Sequence, residues 1–170
     1  MAKPTFSEVA SAIQDPLLSD NFLLVIPNVP GGGVGEALRL QCRSASKPGK
    51  TINSVEVAVF GHVLEFASNI SFSHDMSVSY AENGKAQVTT ALELWQNAIR
   101  SAETQLGAPK SAYARNGIFY VYDNVGNVVK EYLIEAMWPA QVPDISFDGS
   151  SSSALNVDAS FKYDRVITVK

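Results

Sequence analysis

The chain has 170 residues, of which 46% are hydrophobic, so it is long enough to bury one core and is expected to fold as one domain. Charged residues make up 18%, below the usual value of about 25%, and this deficit points to a surface partly covered by partners. The net charge of −4, with no basic stripe, argues against tight nucleic-acid binding, and the single cysteine excludes an intrachain disulfide or a thiolate metal cluster.

In chain order, Thr5-Phe6-Ser7-Glu8 reads as a capping box opening a short N-terminal helix. Its apolar face is Phe6, Val9, Ala10 and Ile13, and Pro16 stops it. No apolar run behind Met1 suggests an export signal, and the longest aliphatic run, Phe22 to Ile26, is far short of the roughly 20 residues of a membrane span. Phe22 to Ile26 reads as a strand, followed by a flexible Pro30–Gly35 loop. From Leu38 the pattern alternates: Leu38, Leu40 and Cys42 are expected inward and Arg39, Gln41 and Arg43 outward, as on a half-buried strand over 37–43. Residues 44–53 are polar with Pro48 and Gly49, and predict a long connecting loop.

Two strands are expected at 54–60 and 62–66, with Gly61 as a bend, and further alternation runs through Ile70, Phe72, Met76, Val78 and Tyr80. Thr90-Ala91-Leu92-Glu93 is a second capping box, and Ala91, Leu92, Trp95, Ile99, Ala102 and Leu106 predict one long helix ended by Gly107 and Pro109. Its core face is centred on Leu92, Trp95 and Ile99. A strand at 117–123, a turn at Asp123–Asn127 and a return strand at 128–137 form a hairpin. After a serine-rich loop at 150–153, Leu155, Val157, Ala159, Phe161 and Tyr163 share one face of the last strand. The sum is mainly β: seven or eight mostly antiparallel strands in two packed sheets, with one flanking helix and the short N-terminal one.

Motifs that resemble chemistry are incomplete. Ser44 to Thr51 ends like a phosphate-binding loop, but Ser44 stands where glycine is needed and a strand pattern follows instead of a helix. Gly31 to Gly35 followed by Glu36 fails the dinucleotide fingerprint at its last position. His62 and His74 have no nucleophile in sequence context, and Cys42 alternates with core positions as a small buried hydrophobe. Glu131 and Glu135 share one face of a strand, which reads as a solvated or pore-facing strip before an acid–base pair. No catalytic constellation, cofactor or metal site is expected.

The order of segments is itself informative. Asn21 to Ile26, then Leu40 to Ala45 running into a long loop, then Trp95 on the one long helix, resemble successive elements of the tail tube proteins of contractile-tailed, myovirus-type bacteriophages. Glu135-Ala136-Met137-Trp138-Pro139-Ala140-Gln141-Val142 looks like that family's Leu-Trp-Pro turn, and Phe147-Asp148-Gly149-Ser150 like the loop before its last strand. The resemblance covers roughly residues 20–166, in a single domain of 170 residues whose first 19 and whose Pro30–Gly35 loop have no counterpart.

It implies two packed sheets with a helix on the flank, six subunits to a ring, and inner sheets joined into a continuous β-barrel. Rings stack into a tube inside a sheath, between a baseplate and a terminator, and double-stranded DNA passes through without specific binding or membrane insertion. The virion tail, assembled in the host cytoplasm, is the implied location. The same fold serves the inner tubes of contractile injection systems and bacteriocins. On this reading Ser44, Lys47, Pro48, Gly49, Lys50 and Thr51 belong to a loop that contacts the neighbouring ring. Strands 37–43, 54–60, 118–123 and 128–136 are the inner sheet, and Arg39, Gln41, Arg43, Glu56, Glu131 and Glu135 are lumen candidates.

Overall fold

One strand that changes partners halfway organises the molecule. The computed structural model describes residues 3–13, 15–30, 32, 35–150 and 152–170. Its elements are α1 (Phe6–Ile13), β1 (Phe22–Val25), α2 (Gly35–Leu40), β2 (Cys42–Ala45), β3 (Lys50–Val59), β4 (His62–Phe72) and β5 (Asp75–Ala81). They continue with α3 (Gln87–Ile99), α4 (Lys110–Tyr113), β6 (Arg115–Tyr122), β7 (Val128–Gln141), β8 (Asn156–Lys162) and β9 (Arg165–Thr168).

Seven strands form one antiparallel sheet in the order β1-β6-β7-β8-β5-β2, with β9 also on β7. The first part of β7 pairs with β6 and β9, whereas Trp138, Pro139 and Gln141 pair with β8. Between the two parts Ala136 takes φ 54°, and its N–H leaves the ladder to donate to Asn116 Oδ1 at 3.2 Å. The change of partner folds the sheet into two layers. Leu24, Phe119 and Ile134 from one layer and Met76, Val78, Tyr80, Val157 and Phe161 from the other share a single core. The alternation of the C-terminal strand is realised, with Val157, Ala159, Phe161 and Tyr163 all buried. The turn at Asp123–Asn127 is also formed: the Asp123 carboxylate accepts from the backbone N–H groups of Val125 and Asn127.

α3 closes the core, with Val88, Ala91, Leu92 and Trp95 buried and Ile99 packed against the cluster. Trp95 Nε1 donates to the carbonyl of Tyr113 at 2.8 Å. The helix begins at Gln87, one turn before the Thr90 capping box, because a side chain from outside caps it. The Glu82 carboxylate accepts from the N–H groups of Val88 and Thr89 and from the Thr89 hydroxyl. Thr90 is already inside the helix, its hydroxyl donating to the Ala86 carbonyl. The helix also stops early: Arg100 is extended and bridges Gly107, so Ala102 and Leu106 lie outside it and are exposed.

Three further expectations are corrected. Residues 37–43 do not form one strand; only Cys42 and Arg43 belong to one, β2. Gly35–Leu40 is the short helix α2, in which adjacent Ala37 and Leu38 are buried and Leu40 is exposed. The Glu36–Arg39 ion pair at 2.6 Å supports that helix, and alternation over so few positions could not separate the two periods. The long loop over 44–53 is also absent: Ser44 lies on β2 and Lys50 and Thr51 on β3, leaving Ser46–Gly49 as the connection. Ser46 is stitched to β5, its N–H donating to the Ser77 carbonyl and its Oγ accepting from the Ser77 N–H. Finally, β9 has no counterpart among the expected strands, since it is four residues long and follows β8 after two. The Pro30–Gly35 and 150–153 loops lie partly outside the described residues.

Candidate assembly surfaces

β3 and β4 form a separate two-stranded sheet, with neither strand pairing to the main one. Nearly every residue of this arm is exposed. A free two-stranded hairpin is marginal in water, so a segment of this length is expected to gain its stability from something packed on it. The register shows which face. Val55 opposes Phe66 and Val57 opposes Leu64, giving an apolar face that Val59 extends. Glu56 opposes Glu65 and Ser54 opposes Ala67 on the other face, where Ala58 also opposes an exposed Val63. The arm is therefore amphipathic, with its apolar row in solvent.

Its tip is a two-residue turn in which Phe60 and Gly61 both have positive φ, at 49° and 79°. That geometry suits the twist of a hairpin. Glycine adopts it freely, but phenylalanine does not, and Phe60 is 99% exposed there.

The two layers present different outer faces. Around β5 and β8 the outward cross-strand pairs are Asp75–Lys162, Ser77–Ser160 and Ser79–Asp158. Asp75 and Lys162 are ion-paired at 2.7 Å. Ser44 opposes Ser79, and these side chains line an open trough of about 500 Å³. The outward pairs of the other layer are Leu23–Tyr120, Val25–Ile118, Ile118–Leu133, Leu133–Ile167, Tyr120–Glu131 and Glu135–Arg165. One outer face is small and hydroxyl-rich, and the other mixes aliphatic and aromatic side chains with Glu131 and the Glu135–Arg165 pair.

The six lumen candidates do not form one strip. Arg39 is on α2, Gln41 follows it, and Arg43 sits at the β2 bulge. Glu56 is on the arm, facing Glu65. Glu131 and Glu135 are on β7 in the layer of β6 and β9, where Glu131 opposes Tyr120 and Glu135 is ion-paired to Arg165. The serines of the hydroxyl-rich face alternate with Met76, Val78 and Tyr80 in the sequence. The histidines also part company. His62 lies on the arm, and His74, at φ 59°, hydrogen-bonds the Tyr163 carbonyl through Nδ1. Cys42 is half-buried, and burial pushes its thiol up to about 11.

The family model for the phage tail tube protein matches residues 21–169. No curated protein matches by sequence. Among solved structures, a chain of the sheath–tube complex of the extracellular contractile injection system PVC, in its extended state, is 15% identical with a TM-score of 0.65 over 98% of both chains. A chain of the anti-feeding prophage tube-terminating cap is 16% identical, TM-score 0.64, over 91% of each. A chain of the PVC sheath/tube terminator is 14% identical, TM-score 0.66, over 93% of this chain and 99% of that one. At these identities the likeness is one of fold.

Proposed function

The chain belongs to the phage tail tube protein family and is a tail tube subunit, and from that premise we propose how its surfaces build the tube. Six copies form a ring, and the β3–β4 arm of each lies against the next copy. The observation that carries this is the arm's unpartnered apolar row, Val55, Val57, Val59, Leu64 and Phe66, ending in Phe60. Fully burying one such side chain contributes on the order of 1.5–3 kcal/mol, so the row suffices to drive association. Arm-to-neighbour packing also covers strand edges that would otherwise aggregate. The turn Lys47–Gly49 and its flanks Ser44, Lys50 and Thr51 lie at the base of the arm and contact the adjoining ring.

The lumen wall is the hydroxyl-rich face of β5 and β8. A bore that carries DNA must be wetted, and it must not bind phosphate. Ser77, Ser79 and Ser160 supply neutral hydroxyls, Asp158 is anionic, and Lys162 is already neutralised by Asp75. Glu131 and the Glu135–Arg165 pair share the other layer's outer face with Leu23, Tyr120 and Leu133, a face that suits contact with protein. The sheath lies outside the tube and the baseplate and terminator at its ends, as in the assemblies whose chains share this fold. The virion tail is the location, and no cofactor or catalysis enters the reading. ATP hydrolysis abolished by Lys50→Ala would overturn that last point.

Electron microscopy of concentrated protein is the test. Rings and tubes are expected from the unaltered chain. Val57→Asp with Leu64→Asp is expected to leave a folded monomer that forms neither. Tubes from that variant would dismiss the arm. A bulky thiol reagent excluded from the bore should spare Ser79→Cys and Ser160→Cys in assembled tubes, and rapid labelling would dismiss the lumen face. The inner tube of a contractile injection machine is the second reading, favoured by the full-length match to the PVC chain. Capsid and terminase genes beside this one would decide for a phage.

A further inference from the structure

The segment before β1 lies outside the family match, which begins at residue 21, yet it carries a formed helix. The Thr5 hydroxyl and N–H both donate to Glu8 Oε2, at 2.8 and 2.7 Å, closing the capping box. Nothing in α1 is buried. Phe6, Val9 and Ile13 form one stripe, and Leu17 and Leu18 beyond it are exposed as well. Eight residues are too few to sustain a helix in water, so a capped helix of this length with a bare apolar stripe is built to dock. From Pro4 to Asp20 the segment holds Glu8, Asp15 and Asp20 and no cation.

A groove of complementary character lies at the base of the arm. Lys47, Pro48 and Lys50 at the arm's base face Phe72, Tyr132, Val166 and Ile167 across an open cleft of about 350 Å³. Lys47 Nζ sits 4.7 Å from the centre of the Tyr132 ring. Neither lysine has a carboxylate partner among the described residues. The cleft is apolar in its walls and cationic at its rim.

We infer that the N-terminal segment of one copy docks its Phe6–Val9–Ile13 stripe into the Lys47–Ile167 groove of a second copy, with Asp15 and Asp20, beyond the helix, against the two lysines. The β3–β4 arm fits this groove less well, because its apolar row and its Glu56–Glu65 pair are on opposite faces and cannot both meet one cleft. The inference rests on the tube reading, and it names the partner of the arm-base contact proposed above.

Two single-cysteine chains test it, both on a Cys42→Ala background with folding checked by circular dichroism. One carries Ile13→Cys and the other Ile167→Cys. They are mixed, assembled and oxidised. Disulfide-linked heterodimers are expected in tubes at about tenfold or more the yield given by Ile13→Cys with Phe147→Cys. In a second arm of the test, Lys47→Glu with Lys50→Glu should raise the concentration needed for tubes by about tenfold, and adding Asp15→Lys should recover most of it. Tubes without the cross-link, or a chain lacking residues 3–19 that assembles at the normal concentration, would overturn the docking while leaving the tube reading intact. An intrachain cross-link between both cysteines placed in one dilute monomer would place the segment on its own chain and overturn the exchange. If the unaltered chain makes no tubes, both readings fall.

Discussion

Glu56 and Glu65 stand directly opposite each other across the β3–β4 ladder, both exposed, with no cation paired to either among the described residues. Like charges at facing positions destabilise a hairpin. That one pair therefore works against the closure of an otherwise regular ladder. Glu65→Lys converts the pair to opposite charges and should raise arm stability in the monomer by about 0.2–1 kcal/mol. Hydrogen exchange of the arm amides reads this directly, and protection unchanged or reduced in the variant would contradict it.

Trp95 is fully buried on α3, tilted against the Phe161 ring with centroids 5.9 Å apart, and bonded to the Tyr113 carbonyl. Trp95→Ala removes the ring and leaves a cavity, at a cost of roughly 3–5 kcal/mol. Trp95→Phe keeps most of the volume but leaves the Tyr113 carbonyl without its donor, at about 1–3 kcal/mol. Urea unfolding of the monomer should rank the two in that order, and a neutral Trp95→Ala would mean the side chain does not hold the core.

Glu82 ties the start of α3 to the end of β5. Burial raises its pKa, but the hydrogen bonds from Thr89, Asn83 and Val88 outweigh that and hold it below the ordinary glutamate value. A folded-state pKa below the unfolded one stabilises the protein above the unfolded value, and the contribution disappears as pH falls through the folded value. Glu82→Gln should thus cost about 0.5–2 kcal/mol at neutral pH, as for loss of a helix cap. It should also flatten the loss of stability on acidification below about pH 4.5. Denaturant titrations at several pH values compare the slopes, and identical slopes in the two proteins would exclude a role for Glu82.

Cys42 is half-buried, and its thiol is raised from an ordinary 9.0 to about 11 by burial. The thiolate is the reactive form, so native Cys42 should react roughly a hundredfold more slowly than a free cysteine at pH 8. In denaturant the difference should vanish. Because the folded state favours the neutral thiol, its contribution is present below the unfolded pKa and falls away as pH rises past it toward 11. Fast labelling of the native protein would show that the site opens readily.

The sequence by itself determined the elements whose partners are close or whose periodicity runs long. The alternation from Leu155 to Tyr163, the β6–β7 hairpin about Asp123, the Trp95 face of the helix and the Thr5–Glu8 cap are each fixed by side chains within one segment, so local pattern suffices. The collinear order of those segments was enough to point to the tail tube family. Only the tertiary structure decided what depends on distant partners. Residues 37–40 became helix although three alternating positions suggested strand. α3 starts at Gln87 because Glu82 caps it from outside the helix. β7 serves both layers because Ala136 turns the chain between them. The same limit governs the outer faces: period-two alternation separates two rows on each strand, but which row meets a core, a neighbour or water is set by the layer packed against it. That is why the two outward rows, the serines of β5 and β8 and Glu131 with Glu135 on β7, are identified as outward only by the layers packed beneath them.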